Sequence, residues 1–159
     1  MSGMAVPVAI LGHTEYILCA ADYTTLKGMW KIGERDRELA LHLAFLAWYG
    51  LVEPWFLTGF TKNFDYQELQ AIWHECYQFL NPEQAEDAEI LYTLGLMLSM
   101  FAYVVGGDMN VWECKAEAFR ARYRRMLPRG ISEIAPQIFQ SNGLYGVYFM
   151  GQSRVAYGF

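Results

Sequence analysis

The stretch that decides the fold is ILYTLGLMLSMFAYVVGG, residues 90–107, which contains no formally charged side chain. Its length is at the short edge of what an α-helix needs to span a bilayer. Acidic residues crowd its N-terminal side, at Glu83, Glu86, Asp87 and Glu89. The stretch is therefore either a membrane span or the buried helix of a soluble protein.

The residues that flank this stretch favour the buried helix. Residues 81–84, Asn-Pro-Glu-Gln, supply an N-cap residue, a proline at the first helical position and a glutamine at the capping-box position. Two glycines, Gly106 and Gly107, supply a stop. The pattern predicts one helix over residues 82–105, and a single membrane span through residues 90–107 is the alternative.

Composition agrees with a soluble protein that buries a large core. Hydrophobic residues make up 54% of the 159 residues and charged residues 18%, which is below the usual quarter. No positively charged leader precedes the first apolar residues, so we expect no signal peptide. Cys19, Cys76 and Cys114 are widely spaced and form no CxxC motif. We expect reduced thiols in a cytoplasmic protein, with neither a disulfide framework nor a metal or other cofactor.

Helical periodicity over most of the chain predicts an all-α, single-domain bundle of five main helices. The predicted helices cover residues 14–31, 34–49, 65–80, 82–105 and 110–127, and a shorter one at 132–140 is interrupted by Pro136. The second helix is apolar on every side, which is typical of a central helix. Asp65 and Glu68 give the third helix its clear start signal. Residues 54–63 form a predicted aromatic loop. Apolar stripes predict burial of Leu69, Ile72, Trp73, Cys76, Phe79 and Leu80 on the third helix and of Trp112, Ala116, Phe119, Tyr123 and Met126 on the fifth.

The two ends of the chain lie outside this helical core. Residues 1–12 form an N-terminal segment, residues 13–140 the core and residues 141–159 a C-terminal tail rich in glycine and aromatic residues. Gly151-Gln152 fits the two-residue turn of a β-hairpin. An extended tail that docks on the core fits the pattern equally well.

Charge is distributed unevenly along the chain. Residues 1–118 carry sixteen acids and six bases, and residues 119–159 carry six arginines and one acid. The arginines at residues 120–129 are explained by a helix C-terminus or by an anion site. Nucleic acid is not an expected partner, because the whole chain is acidic, with an isoelectric point of about 5.1.

The charged clusters are the candidate partner-binding residues. The acids before the apolar stretch either stabilise a helix N-terminus or face a basic surface on another protein, which they would attract electrostatically. Arg122 and Arg125 are the candidates for the opposite charge. The predicted partner-binding residues are Glu83, Glu86, Asp87, Glu89, Arg122 and Arg125.

A second candidate is a pocket on the predicted second helix. Glu38, His42 and Tyr49 share one stripe of an otherwise apolar helix. A carboxylate that orients an imidazole is typical of a general base, and also of a buried polar pair with a structural role. His74 projects away from the apolar stripe of its own helix, so we expect it to be solvated.

No sequence motif of a known catalytic or metal site occurs, so we assign no catalytic and no metal-binding residues. The leading hypothesis is a non-catalytic, cytoplasmic protein-binding protein, of the inhibitor, immunity or adaptor kind, that acts by covering a partner. An enzyme or small-ligand binder with a pocket beside Glu38, His42 and Tyr49 is the second hypothesis. The single-span membrane protein is the third, and the oligomeric state is open.

Overall fold

The computed structural model describes the backbone of residues 13–53, 65–140 and 143–154, and the side chains of these ranges from Asp22 onward. These ranges contain seven α-helices and no β-strand, which confirms the all-α prediction. The α-helices are α1 (His13–Lys31), α2 (Arg37–Val52), α3 (Tyr66–Leu80), α4 (Ala88–Phe101), α5 (Met109–Met126), α6 (Ala135–Phe139) and α7 (Gly143–Ser153). Two short 3-10 helices are η1 (Ala102–Val105) and η2 (Ile131–Glu133). The predicted N-terminal segment and aromatic loop lie outside the described residues.

Helix α2 is the central helix of the described structure, as its sequence predicts. Every residue from Leu39 to Trp48 is buried, and α2 packs against α1, α3 and α7. It begins at Arg37, later than predicted, because the side chain of Asp36 accepts a hydrogen bond from the amide of Leu39 and caps the helix. The helix continues through Gly50, where the sequence predicts its end, and its cap is Glu53.

Helix α3 begins where the sequence predicts. Asp65 accepts hydrogen bonds from the amides of Gln67 and Glu68 and so supplies the N-cap. Phe79 is predicted on the buried stripe, but 43% of it is exposed and its ring contacts the edge of Trp30. The other predicted residues of the stripe are buried, and Tyr77 is buried although it was not predicted; the buried residues are Leu69, Ile72, Trp73, Cys76, Tyr77 and Leu80.

The predicted start of the apolar helix at residues 81–84 is wrong. Asn81 ends α3 in the left-handed conformation, with φ of 48°, and residues 82–84 form a turn. Helix α4 begins at Ala88 because Asp87 accepts hydrogen bonds from the amides of Glu89 and Ile90. The predicted stop is confirmed, since Gly106 has a positive φ of 78° directly after η1.

Among the described residues, Ala88–Val105 is long and apolar enough to cross a membrane, by length and composition alone. Within the protein, 67% of this stretch is buried, chiefly through the contact between α4 and α5. The core helix of a soluble protein passes the same test of length and composition. Burial of this helix, and not its hydropathy, is therefore the property that favours the hypothesis of a soluble protein.

Helix α5 agrees with the prediction to within one residue at each end. It buries Trp112, Ala116, Phe119 and Tyr123. Met126, also predicted to be buried, is 43% exposed. Pro136 lies in the first turn of α6 and does not interrupt it, because a proline there lacks only an amide that the helix would leave unpaired anyway.

The predicted hairpin or irregular tail is wrong for residues 143–153, which form helix α7. Tyr145, Tyr148 and Phe149 are spaced by three and four residues, so a helix places them together against α2, where all three rings contact Phe45. Burial of these rings outweighs the low helix propensity of the glycines, which cost about 1 kcal/mol each. Residues 155–159 of the tail lie outside the described residues.

We expect the full-length protein in the detergent-free soluble fraction of a cell lysate, with a helical circular-dichroism spectrum. The physical reason is that α5 already covers much of the apolar surface of α4. Recovery from membranes alone, with extraction by detergent and not by salt, would contradict this expectation.

Candidate functional site

Helix α7 lies over the stripe that the sequence identifies as a pocket. The ring of Tyr145 stacks on His42 with centroids 4.4 Å apart and an interplanar angle of 27°. The ring of Tyr148 meets the edge of Tyr49 at 5.8 Å. The two rings of the stripe are therefore covered by aromatic rings of the same chain, and His42 is only 2% exposed.

Glu38 and His42 do not form the hydrogen bond that a functional pair needs. Glu38 Oε2 lies 3.9 Å from His42 Nε2, beyond hydrogen-bond distance, and a third of the Glu38 side chain is exposed. The other Glu38 oxygen accepts from Arg37. His42 Nδ1 is buried and has no hydrogen-bond partner among the residues that the structure describes. Burial lowers the pKa of His42 to about 4, so its imidazole is neutral at pH 7.

Arg37 connects the beginnings of α2 and α4. Its Nε donates to Asp87 Oδ2 at 2.8 Å, and its Nη2 donates to Asp87 Oδ1 at 3.0 Å and to Glu89 Oε1 at 2.7 Å. Burial alone would raise the pKa of Asp87, but the hydrogen bonds from Arg37 more than offset it, so that pKa lies below its usual value. One guanidinium thus satisfies two carboxylates on another helix.

Tyr145 brings α7 to the same junction. Its hydroxyl donates to Glu89 Oε2 at 2.5 Å, so Glu89 has a partner on each oxygen. Burial nevertheless raises the pKa of the Glu89 carboxyl above its usual value. Sequence reasoning missed Tyr145, although the spacing of aromatic residues at 145, 148 and 149 was a readable signal of a helix.

Three of the four predicted partner-binding acids are engaged within the protein. Glu83 accepts from the hydroxyl of Tyr77 and from Lys115 Nζ. Asp87 caps α4, and Glu89 is buried beneath Tyr145. Glu86 is the exposed member of this group. The acidic cluster in the sequence is therefore not a continuous acidic surface in the structure.

The structure instead brings Glu86 together with Arg122 and Arg125. The N-terminal end of α4 lies beside the C-terminal end of α5 in space, and between the two ends lies a cleft of about 350 Å³. The cleft is lined by Ala85, Glu86, Leu91, Arg122, Arg125 and Met126. We call it the α4–α5 cleft.

Arg122 is fixed in this cleft by backbone carbonyl groups. Its Nη1 donates to the carbonyls of Pro82 and Glu83 at 2.8 and 2.9 Å, and its Nη2 donates to the carbonyl of Ala85. These carbonyls belong to the segment between α3 and α4, so Arg122 holds that segment against α5. Arg125, one turn further on, has an exposed side chain.

The predicted solvation of His74 is wrong. Its Nε2 lies 2.7 Å from the carbonyl oxygen of Val105, and its ring contacts Trp73 and Trp112. Trp112 donates from its indole to the carbonyl of Gly106. These contacts hold the C-terminal end of η1, whose position the periodicity of α3 alone does not reveal.

Within the described ranges, no group of three or more His, Cys, Asp or Glu side chains has an arrangement that could hold a metal ion. Cys114 is exposed, whereas Cys76 is buried, and burial raises the pKa of its thiol well above the usual value. The Cys76 thiol is therefore protonated at pH 7 and poorly suited to act as a nucleophile.

No protein-family model matches this sequence. No curated protein and no solved structure matches the chain significantly.

We expect His42→Phe to reduce the sensitivity of the protein to acid. Because the folded pKa of His42 is about 4 and its unfolded value is near 6.5, its contribution to stability is present above pH 6.5 and is lost as the pH falls towards 4. Phenylalanine keeps the stacking and binds no proton. Between pH 7 and 4.5 the variant should gain about 2 kcal/mol relative to the wild type, measured by urea unfolding.

Glu38→Gln is the matched control. The ion pair of Glu38 with Arg37 is partly exposed and contributes less than about 1 kcal/mol to the free energy of unfolding at pH 7. If the wild type and His42→Phe lose stability in parallel on acidification, His42 is not a buried imidazole with a lowered pKa in the folded protein.

We expect Tyr145→Phe to reduce the free energy of unfolding by about 1–3 kcal/mol, because it leaves one oxygen of the buried Glu89 without a donor. Tyr66→Phe removes a hydroxyl from an exposed ring and should cost less than about 0.5 kcal/mol. Equal losses in the two variants, measured by chemical denaturation at pH 7, would show that the Tyr145 hydroxyl contributes nothing specific.

Proposed function

We propose that this is a non-catalytic, cytoplasmic protein-binding protein, of the inhibitor, immunity or adaptor kind, that acts by covering a surface of another protein. The observation that carries the proposal is that the acids and the arginines near the α4–α5 cleft differ in how far they are bonded within the chain. The acids of the cluster are mostly bonded within the chain, whereas Arg125 of the cleft is exposed at the end of α5. We name the last turn of α5, which carries Arg125, the basic end of α5.

The surroundings of the His42 stripe support a structural role for that stripe. A general base must reach the proton that it removes. His42 is neutral and buried, and Tyr145 covers its ring. These contacts argue against a general-base role for His42.

The charge at the basic end favours a partner with an acidic surface, in place of the basic surface that the sequence suggests. Long-range attraction between such surfaces mainly accelerates association. Apolar side chains supply affinity once the surfaces meet. Met126 and Val111 are both partly exposed on α5, so this helix offers charged and apolar contacts together.

The test begins with affinity purification of the tagged protein from its native host at low and moderate salt. We expect one stoichiometric protein partner, and recovery of a small molecule alone would contradict the proposal. Arg125→Glu should lower the association rate constant by about threefold or more at low salt, with a smaller change in the dissociation rate.

Arg154→Glu is the matched control, because it makes the same charge change at an exposed residue beyond α7. A similar effect of the control would indicate general electrostatic attraction without a defined surface. Unchanged association in Arg125→Glu would place the interface elsewhere. Reversal of Glu83 or Asp87 is expected to lower stability, because these acids bond within the chain.

A further inference from the structure

The α4–α5 cleft combines an apolar floor with a cationic wall. Leu91 is fully buried and Ala85 is half-buried beside it, while Met126 forms an exposed apolar side. Arg122 and Arg125 line the cleft from α5. A volume of about 350 Å³ is at the lower end of the range for small-ligand sites, which fits one side chain or one small molecule.

The guanidinium of Arg122 is already ordered before any ligand arrives. Three of its five N–H donors are occupied by the carbonyls of residues 82, 83 and 85. Binding to an ordered arginine costs less conformational entropy than binding to a mobile one. Two donors are left over, which is the number that a carboxylate accepts side by side.

The charges that line the cleft favour an anion. Two arginines and one acidic residue, Glu86, line the cleft. The nearby Glu83 is neutralised by Lys115 Nζ, with which it forms an ion pair. Arginine is the side chain best suited to planar carboxylates, and the apolar floor suits a short hydrocarbon group attached to that carboxylate.

We infer that the α4–α5 cleft binds a carboxylate carried on a short apolar group, about the size of a leucine residue. The inference rests on the proposed function and makes the cleft the anchor pocket for the partner. The same chemistry is presented by the apolar C-terminal residue of a protein and by a free carboxylic acid.

The test uses N-acetyl-leucine as the probe and N-acetyl-leucinamide as its neutral counterpart. Methyl-¹³C-methionine labelling reports on Met126, whose resonance is assigned from its loss in Met126→Leu. We expect N-acetyl-leucine to shift this resonance with half-saturation on the order of 1–10 mM, as its small size implies. The amide should leave the resonance unchanged.

Arg125→Gln should weaken probe binding by at least about fivefold, because it removes one of the two cationic partners. Arg154→Gln, with the same change of charge outside the cleft, should bind as the wild type does. No shift, an equal shift with the amide, or unaltered binding in Arg125→Gln would overturn the inference.

A hexapeptide that ends in leucine, with a free or an amidated C-terminus, distinguishes the two sources. If the free-acid peptide binds at least as tightly as N-acetyl-leucine, the cleft accepts a protein C-terminus. If the peptide is excluded and N-acetyl-leucine binds, the cleft accepts a free carboxylic acid. Both outcomes support the carboxylate chemistry.

The outcomes for the cleft and for the proposed function are separable. A partner complex that is intact in Arg125→Gln, together with no probe binding, overturns the cleft inference and leaves the protein-binding function. Probe binding by a protein that captures no protein partner supports the cleft and contradicts the protein-binding function.

Discussion

The hydrogen bonds of Arg37 are the interaction on which the packing of α2, α4 and α7 depends. Glu89 is a buried carboxylate, and a buried charge is tolerated only when it is paired and hydrogen-bonded. Arg37 supplies one partner from α2, and Tyr145 supplies the other from α7. Loss of either partner would leave a buried acceptor unsatisfied, so the position of α7 is specified by polar chemistry as well as by ring packing.

The aromatic contacts of α7 follow from that junction. Once Tyr145 reaches Glu89, the helical repeat carries Tyr148 and Phe149 onto Phe45 of α2. The stripe of Glu38, His42 and Tyr49 that resembles a pocket in the sequence is covered by this packing. The stripe on the central helix is therefore covered by aromatic rings from the C-terminal part of the chain.

Sequence patterns predicted the helices that carry their own local signals. Helix α3 has Asp65 at its N-cap, and α5 has a clear apolar stripe, so both were placed within a residue. The start of α4 was misplaced because two capping patterns compete, and the one at Asp87 is reinforced by a contact with Arg37 on another helix. The cleft was not predictable from spacing, since Glu86 and Arg122 meet only when α4 and α5 pack antiparallel.

The buried ionisable groups at this junction respond to pH in opposite directions. His42 has a lowered pKa, so its contribution to stability is lost as the pH falls from 6.5 towards 4. Glu89 has a raised pKa, so its contribution is present in acid and is lost as the pH rises through its folded value. Hydrogen bonds from Arg37 and Tyr145 stabilise the carboxylate of Glu89 and so reduce the stability that is lost when it ionises. Among the described residues, His42 Nδ1 has no hydrogen-bond partner that would stabilise the imidazolium. Burial of His42 under the ring of Tyr145 therefore makes the folded state sensitive to acid.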